Sequence, residues 1–241
     1  MNPTSIQEAK KLFLSLRGKT KSSKKVNVII CPPSLYLNEL IRLHTSRKNI
    51  KFGLQNAFWK NEGSFTGEIS PKMAKNSGVE YIIVGHSERR ALGETNEMVR
   101  EKIHTTLENK LKPIICVGEG SRDDHGRYLS FLRSQIEEGL KGVLIKDLKN
   151  IIIAYEPIWA IGKSDKDAVT AHNLEEMILY IKKILKEIYN DNKALKTKVI
   201  YGGSVEGGNA KNLLEETNID GFLVGHASLK KDDFVRIYNL F

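Results

Sequence analysis

Short apolar runs, rich in β-branched residues, alternate along the chain with longer stretches in which apolar residues recur every three to four positions. The short runs predict buried strands, and the longer stretches predict amphipathic helices. Near-continuous apolar strands between such helices indicate a parallel sheet that is covered by helices. The predicted strands span residues 26–31, 50–54, 81–84, 113–117, 151–155, 198–201 and 221–224, and the main predicted helices span residues 34–43, 95–110, 127–140, 174–188, 210–214 and 232–240.

The first predicted element is a helix and not a strand. Ser5 and Glu8 have the spacing of a capping box, and Ile6, Phe13 and Leu16 lie on one apolar face of the helix that follows. A repeated strand–helix pattern should begin with a strand, and the sequence has none ahead of Ser5. We therefore predict an α/β fold, a TIM-type (β/α)8 barrel in one domain over residues 1–241, with the first strand missing and seven parallel strands remaining.

The composition favours a soluble, cytoplasmic protein with no nucleic-acid or membrane partner. No apolar run approaches the roughly 18 residues of a membrane span, and no apolar signal region follows Met1. The net charge of +9 comes from lysines scattered over helices and loops without interleaved aromatic residues, which is typical of solvated faces. Cys31 and Cys116 each lie in an apolar run and are interpreted as buried thiols, not as a disulfide.

Candidate reactive residues stand at the ends of the apolar runs. His86 precedes Ser87-Glu88, a helix start whose N–H dipoles disfavour a charged imidazole. Glu156 ends another run, where a carboxylate is costly to place unless it is used. Glycines at 202, 203 and 225 permit backbone N–H groups to approach a phosphate closely. The residues alone also fit a hydrogen-bonded turn histidine, a salt-bridged acid and simple tight turns.

Longer motifs surround these candidates. Residues 81–90 read Tyr-Ile-Ile-Val-Gly-His-Ser-Glu-Arg-Arg, and residues 154–162 read Ala-Tyr-Glu-Pro-Ile-Trp-Ala-Ile-Gly. Residues 201–205 and 220–225 read Tyr-Gly-Gly-Ser-Val and Asp-Gly-Phe-Leu-Val-Gly, and residues 65–71 and 116–119 agree with the same pattern. In this order and combination, the motifs resemble triosephosphate isomerases over essentially the whole chain.

The resemblance implies roles for individual residues. Glu156 is expected to be the general base that moves a proton between adjacent carbons of a small phosphorylated triose, and His86 the neutral electrophile that polarises the substrate oxygen. This family is itself the standard example of such a pair, so the pKa logic is taken over from it. Glu88 is expected to be a carboxylate held near the site, and Arg89 and Arg90 to be structural ion-pair partners.

The resemblance also implies how the substrate is bound. Gly162, Gly203, Ser204 and Gly225 match the family's phosphate-contacting positions, and residues 157–162 resemble its closing lid. No cofactor and no metal are implied. The remaining histidines, His44, His104, His125 and His172, are dispersed along the chain.

A homodimer is the expected assembly. Residues 55–68 resemble the loop that family members insert into a neighbouring subunit, and the docking pocket for that loop includes the loop after the first strand. Because that strand is missing, dimerisation is expected to be weaker than usual, or the chain to be monomeric.

Three departures from the family pattern change the expected activity. The first-strand motif Asn-Trp-Lys-Met-Asn, with its catalytic lysine, has no counterpart ahead of Asn2; a start assigned too far downstream would explain this, since Met1 coincides with the internal methionine of the motif. His226 replaces a second glycine, where we expect mild crowding of the phosphate, and residues 163–165 replace the Thr-Gly-Lys end of the lid. An open barrel with little isomerase activity is therefore expected.

Two other functions stay open from the sequence. A barrel that binds phosphate without turnover is the main alternative. Another phosphate-binding barrel enzyme, such as an indole-glycerol-phosphate synthase, agrees with the glycines but not with the surroundings of His86 and Glu156.

Overall fold

The computed structural model describes residues 2–19, 26–44, 49–161 and 169–241. Within these ranges, six strands form one parallel sheet in sequential order. They are β1 Val28–Ile30, β2 Ile50–Leu54, β3 Tyr81–Val84, β4 Lys112–Val117, β5 Ile152–Tyr155 and β6 Lys198–Tyr201. The α-helices are α1 Ile6–Lys19, α2 Ser34–Leu43, α3 Pro71–Asn76, α4 Ser87–Ala91, α5 Asn96–Glu108, α6 Arg127–Leu140, α7 Ala171–Tyr189, α8 Ala210–Glu216 and α9 Lys231–Tyr238. Short 3-10 helices occur at Ile145–Asn150, Ile158–Ala160, Asn192–Lys196 and His226–Leu229.

The curled sheet is buried on both faces, as its apolar strands require. In β3, Tyr81 and Ile83 join the apolar cluster on the inner face, while Ile82 and Val84 join the larger cluster that includes Val99 of α5. This alternation follows from the two-residue period of a strand. A parallel sheet buried on both faces explains why the sequence shows continuous apolar runs and not polar alternation.

The prediction of a seventh strand at residues 221–224 needs correction. In the described ranges this segment forms only an isolated parallel bridge, between Phe222 and Tyr201. The Tyr201 amide donates to the Gly221 carbonyl at 3.1 Å, and the Leu223 amide donates to the Tyr201 carbonyl at 2.8 Å. Within the described residues, the backbone of this segment hydrogen-bonds on its β6 side alone, through Gly221 and Leu223.

The other edge of the sheet, at β1, is also open. Strand β1 pairs with β2 through Val28–Ile30 only, which is shorter than the predicted run over residues 26–31. No strand within the described ranges pairs with its outer edge. A cavity of about 660 Å³ lies between this edge and residues 220–225, and it is also lined by side chains of α1 and α9. The barrel is therefore open at the position where the sequence analysis places the missing strand.

Local signals start the helices where the sequence indicates. The Ser5 hydroxyl accepts a hydrogen bond from the Glu8 amide at 3.2 Å, and the Glu8 carboxylate accepts one from the Thr4 amide at 2.9 Å. In an ideal capping box the carboxylate would accept from the amide of Ser5, one residue later. Helices α2 and α6 match their predicted bounds. No helix of the described residues is both long and apolar enough to cross a membrane. Cys31 and Cys116 are both free thiols.

Candidate active site

The carboxyl ends of the central strands bring the candidate residues together. His86 follows β3, Glu156 follows β5, and Gly202 follows β6. All three line the large cavity, as do Glu88 and Gly225. Because parallel strands end at the same edge of a sheet, residues far apart in sequence converge at this mouth.

His86 is held by the helix that it begins. It is the N-cap of α4, and its Nδ1 accepts the Glu88 amide at 3.2 Å. An Nδ1 that accepts a hydrogen bond carries no hydrogen, so the neutral ring carries its hydrogen on Nε2. Nε2 lies 3.2 Å from Oε1 of Glu156. The Nε2–H group of the ring therefore lies beside the Glu156 carboxylate, which lines the same cavity.

Glu156 is a buried carboxylate with few partners. Its side chain is 2% exposed, Oε2 accepts the Ser87 amide at 3.1 Å, and the Cys116 thiol hydrogen-bonds the same carboxyl group. Burial raises the pKa of Glu156 above its usual 4.5, although nearby His86 and the Ser87 amide oppose the shift. In the part of the chain that the structure describes, no lysine or arginine forms an ion pair with this carboxylate. Glu156 is thus a desolvated carboxylate that has Nε2 of His86 within ion-pair distance.

The raised pKa of Glu156 predicts how stability depends on pH. The folded state retains a proton that the unfolded state releases, so ionising Glu156 lowers the free energy of unfolding as pH rises above about 4.5. Glu156→Gln removes this ionisation. We expect the variant to be more stable than the parent at pH 8, with a difference that shrinks toward pH 4. Urea unfolding at both pH values measures this, and Glu62→Gln, at a side chain that is 84% exposed, is the matched control. An equal difference at both pH values would contradict the prediction.

Glu88 and the two arginines differ in their placement. The Glu88 side chain is exposed and lines the cavity, and its amide orients His86. Arg89 lies 3.7 Å from the buried Glu94 carboxylate, while Arg90 donates to the Gly85 carbonyl at 2.8 Å. Arg89 is thus within ion-pair distance of an acid, as predicted, whereas Arg90 forms no ion pair among the described residues and donates to Gly85 and Asn96.

Glycines are required where the strand ends crowd together. A Cβ on Gly203 would lie 2.2 Å from the Tyr201 hydroxyl, and a Cβ on Gly202 would lie 2.8 Å from Cγ of Glu156. A Cβ on Gly118, after β4, would lie 1.8 Å from the Glu156 carbonyl oxygen. Packing against the base thus explains Gly118 and Gly202 without any reference to phosphate.

The remaining predicted phosphate-binding residues lie in two neighbouring loops. The Ser204 hydroxyl donates to the Ala160 carbonyl at 2.9 Å, which links the loop after β6 to the segment after Glu156. Gly225 precedes the 3-10 helix that begins at His226, whose side chain is exposed. Open space surrounds the position of a Cβ on Gly225. Gly162 lies outside the described residues, and so do residues 163–165.

Sequence reasoning assigned no role to the cluster around Glu119. This carboxylate is 1% exposed, and its Oε1 accepts hydrogen bonds from Arg122, Tyr155 and Trp159. The signal in the sequence was an acid directly after a buried strand, in Cys116-Val-Gly-Glu119. Cys116 was likewise interpreted only as a buried thiol, and its contact with Glu156 was missed.

The amino-acid sequence matches known proteins over its whole length. A sequence model of the family described as Triosephosphate isomerase matches residues 1–241. The chain belongs to the triosephosphate isomerase family. Among curated relatives, the triosephosphate isomerase of Thermoanaerobacter sp. (strain X514) is 43% identical over 234 residues, covering 96% of this chain and 93% of the relative. That of Coprinopsis cinerea is 42% identical over 241 residues, covering 99% and 94%. That of Clostridium botulinum (strain Langeland) is 40% identical over 241 residues, covering 99% and 95%.

Membership of the triosephosphate isomerase family confirms the resemblance found in the sequence. It extends over the complete length of this chain, so the cavity mouth with His86 and Glu156 lies within the matched region.

Proposed function

We propose that the chain interconverts dihydroxyacetone phosphate and glyceraldehyde 3-phosphate. The observation that carries this proposal is the pair of Glu156 and His86, with the carboxylate and the imidazole Nε2 3.2 Å apart at the mouth of the cavity. The family match and the relatives named triosephosphate isomerase support the same substrate.

The two side chains divide the chemistry between them. Glu156 removes a proton from the carbon beside the substrate carbonyl, while the Nε2–H group of His86 donates a hydrogen bond to the carbonyl oxygen. The electron pair of the C–H bond moves into an enediolate, a proton passes from the hydroxyl oxygen to the former carbonyl oxygen, and Glu156 returns its proton to the adjacent carbon, so that the carbonyl and hydroxyl groups exchange places. No cofactor takes part. Burial raises the pKa of Glu156, which makes it a stronger base than a solvated carboxylate.

Backbone groups are proposed to bind the phosphate. Gly203, Ser204 and Gly225 would present N–H groups to the dianion, with Gly162 by resemblance. His226 adds an exposed ring beside Gly225, where we expect mild crowding of the phosphate. The strongly basic chain, with a net charge of +9, favours the approach of an anionic substrate.

We propose that turnover by the 241-residue polypeptide is low. Within the described ranges, no Lys or Arg side chain forms an ion pair with Glu156, and Arg89, which lines the same cavity, is paired with Glu94, so we expect the developing enediolate to lack a dedicated cation. Loss of one neutral oxyanion donor typically costs about 10²–10³ in kcat, and loss of a full charge costs at least as much. This absence is also the observation that favours the second candidate, a barrel that binds phosphate without turnover.

One pair of assays separates the two candidates. Isomerisation is measured in both directions, and the binding of inorganic phosphate is measured by calorimetry. The proposed function predicts slow turnover that Glu156→Gln and His86→Gln each reduce further, with phosphate binding retained. Phosphate binding without any turnover would favour the non-catalytic barrel, and the absence of both would contradict each candidate.

We propose that the chain self-associates only weakly. Residues 55–68 form a loop in which Phe58 stacks between Trp59 and Phe65, with ring centroids 4.0 and 4.5 Å away, and the Phe65 side chain is partly exposed near the tip. We propose that this loop docks into a second copy, and that the docking is weak because the family's docking pocket includes the loop after the first strand, for which the sequence shows no counterpart. We expect sedimentation velocity to show mostly monomer at micromolar concentration. A dimer that persists at nanomolar concentration would contradict this expectation.

A further inference from the structure

Arg122 occupies a position that the proposed chemistry does not explain. It lies in the loop between β4 and α6, and its side chain is 22% exposed. Its Nε donates to Oε1 of Glu119 at 3.1 Å, and its terminal NH2 group donates to the Tyr155 hydroxyl at 3.1 Å. The guanidinium also lies over two aromatic rings, 5.0 Å from the Trp159 ring centroid and 5.2 Å from that of Tyr128.

These contacts converge on the residues that flank the base. Tyr155 directly precedes Glu156, and Trp159 follows it by three positions. The Tyr155 hydroxyl and the Trp159 indole N–H both donate to Oε1 of Glu119, at 2.9 and 2.8 Å. The backbone takes part as well, because the Ile158 amide donates to the Glu119 carbonyl at 3.0 Å. Glu119 therefore binds the chain on both sides of Glu156.

Burying a carboxylate is costly unless a cation pairs with it. Arg122 is the side chain that forms an ion pair with Glu119 among the described residues. The planar guanidinium reaches Glu119 and Tyr155 with different nitrogens while its face covers Trp159, a combination that a lysine ammonium cannot reproduce. We infer that Arg122 is a positioning residue that fixes Glu156 for proton transfer by clamping Tyr155, Glu119 and Trp159.

This inference rests on the proposed function, because it assigns Glu156 the role of the base. Arg122 acts only through its neighbours. Loss of the guanidinium group, with its hydrogen bonds to Glu119 and Tyr155, is expected to loosen the segment around Glu156 and to let water reach the Glu156 carboxylate. A shift of the base by about 1 Å can cost about 10²-fold in rate.

The test compares Arg122→Met and Arg122→Lys with Arg127→Met. Arg127 begins α6 in the same region, and its side chain is 78% exposed. The first readout is independent of turnover: the pKa of Glu156 is followed by NMR in chains carrying 13C-labelled glutamate, with the resonance assigned by Glu156→Gln. The second readout is the separation of kcat from KM.

We expect the pKa of Glu156 to fall toward its usual value in both Arg122 variants and to stay unchanged in Arg127→Met. We also expect kcat to fall about tenfold to hundredfold in the Arg122 variants, with KM changed less than about twofold. Circular dichroism checks folding first, and Arg122→Lys replaces Arg122→Met if the latter is unfolded.

Two results would overturn the inference. One is a folded Arg122 variant that keeps the parent pKa of Glu156, and the other is complete rescue of both readouts by lysine. A parent chain without turnover would count against the proposed function alone, because the NMR measurement of the Glu156 pKa in the Arg122 variants does not depend on turnover.

Discussion

A chain extended ahead of Met1 by about ten residues of apolar strand ending in Asn-Trp-Lys is expected to turn over triose phosphate at least about 10²–10³ times faster than the 241-residue chain. Neighbouring strands lie about 4.8 Å apart, so one strand fills a gap of roughly 10 Å between two edges. A cavity lies between β1 and residues 220–225, and Asn2, ahead of α1, lines it and accepts a hydrogen bond from the Gln55 side-chain amide at 3.0 Å. A strand that ends there would place its lysine beside the mouth that Glu156 lines.

The control for this prediction is the same extension with alanine in place of the added lysine. It supplies the strand without the cation, so thermal stability is expected to rise while most of the gain in kcat is lost. A coupled enzymatic assay measures kcat in both chains. Equal kcat for the lysine and alanine extensions would show that closure of the barrel, and not the charge, was limiting. Near-normal turnover by the unextended chain would contradict the account and would make Lys163 the first candidate for a substitute cation.

Gly118→Ala is expected to be the most damaging small substitution near the site. Its Cβ would lie 1.8 Å from the Glu156 carbonyl oxygen, which is backbone and cannot rotate away. The strand ends after β4 and β5 would have to separate, while the Glu156 amide is bonded to the Val117 carbonyl at 2.7 Å. Overpacking of this kind typically costs about 1–3 kcal/mol and sometimes more, and we expect a value at or above the upper end.

Gly120→Ala is the matched control for Gly118→Ala. It lies two positions further along, where a Cβ would meet no atom within 4 Å. A surface change of this kind usually alters stability by less than about 0.5 kcal/mol. Urea denaturation of both variants gives the comparison. Similar free energies of unfolding for the two variants would mean that the close approach of Gly118 to Glu156 is not present in solution.

The sequence predicts the central sheet well because its strands are buried on both faces. Each of β2 to β5 is a near-continuous apolar run that pairs with a strand on both sides, so the local pattern and the tertiary environment agree. The run at residues 221–224 looks the same locally. In the described part of the chain it forms only the bridge between Phe222 and Tyr201, and nothing in its local pattern distinguishes it from the runs that form strands.

The candidate site is only partly readable from the sequence. His86 and Glu156 stand out because reactive side chains end apolar runs, and the motifs around them are specific. The bond from Arg122 to Glu119, and the contact of Gly118 with the Glu156 carbonyl, depend on how loops from different strands meet. Neither residue spacing nor side-chain chemistry predicts how these loops meet, so the roles of Arg122 and Gly118 are visible only in the structure.

Hydrogen exchange at the substrate tests the central claim most directly. Dihydroxyacetone phosphate is incubated in D2O with the 241-residue chain, and the loss of its carbon-bound protons is followed by 1H NMR against a buffer blank. Proton removal by Glu156 predicts exchange above the blank in the parent chain, even where net turnover is slow, and exchange at the blank rate in Glu156→Gln. Exchange in the parent at the blank rate, or exchange that Glu156→Gln leaves unchanged, would contradict the account.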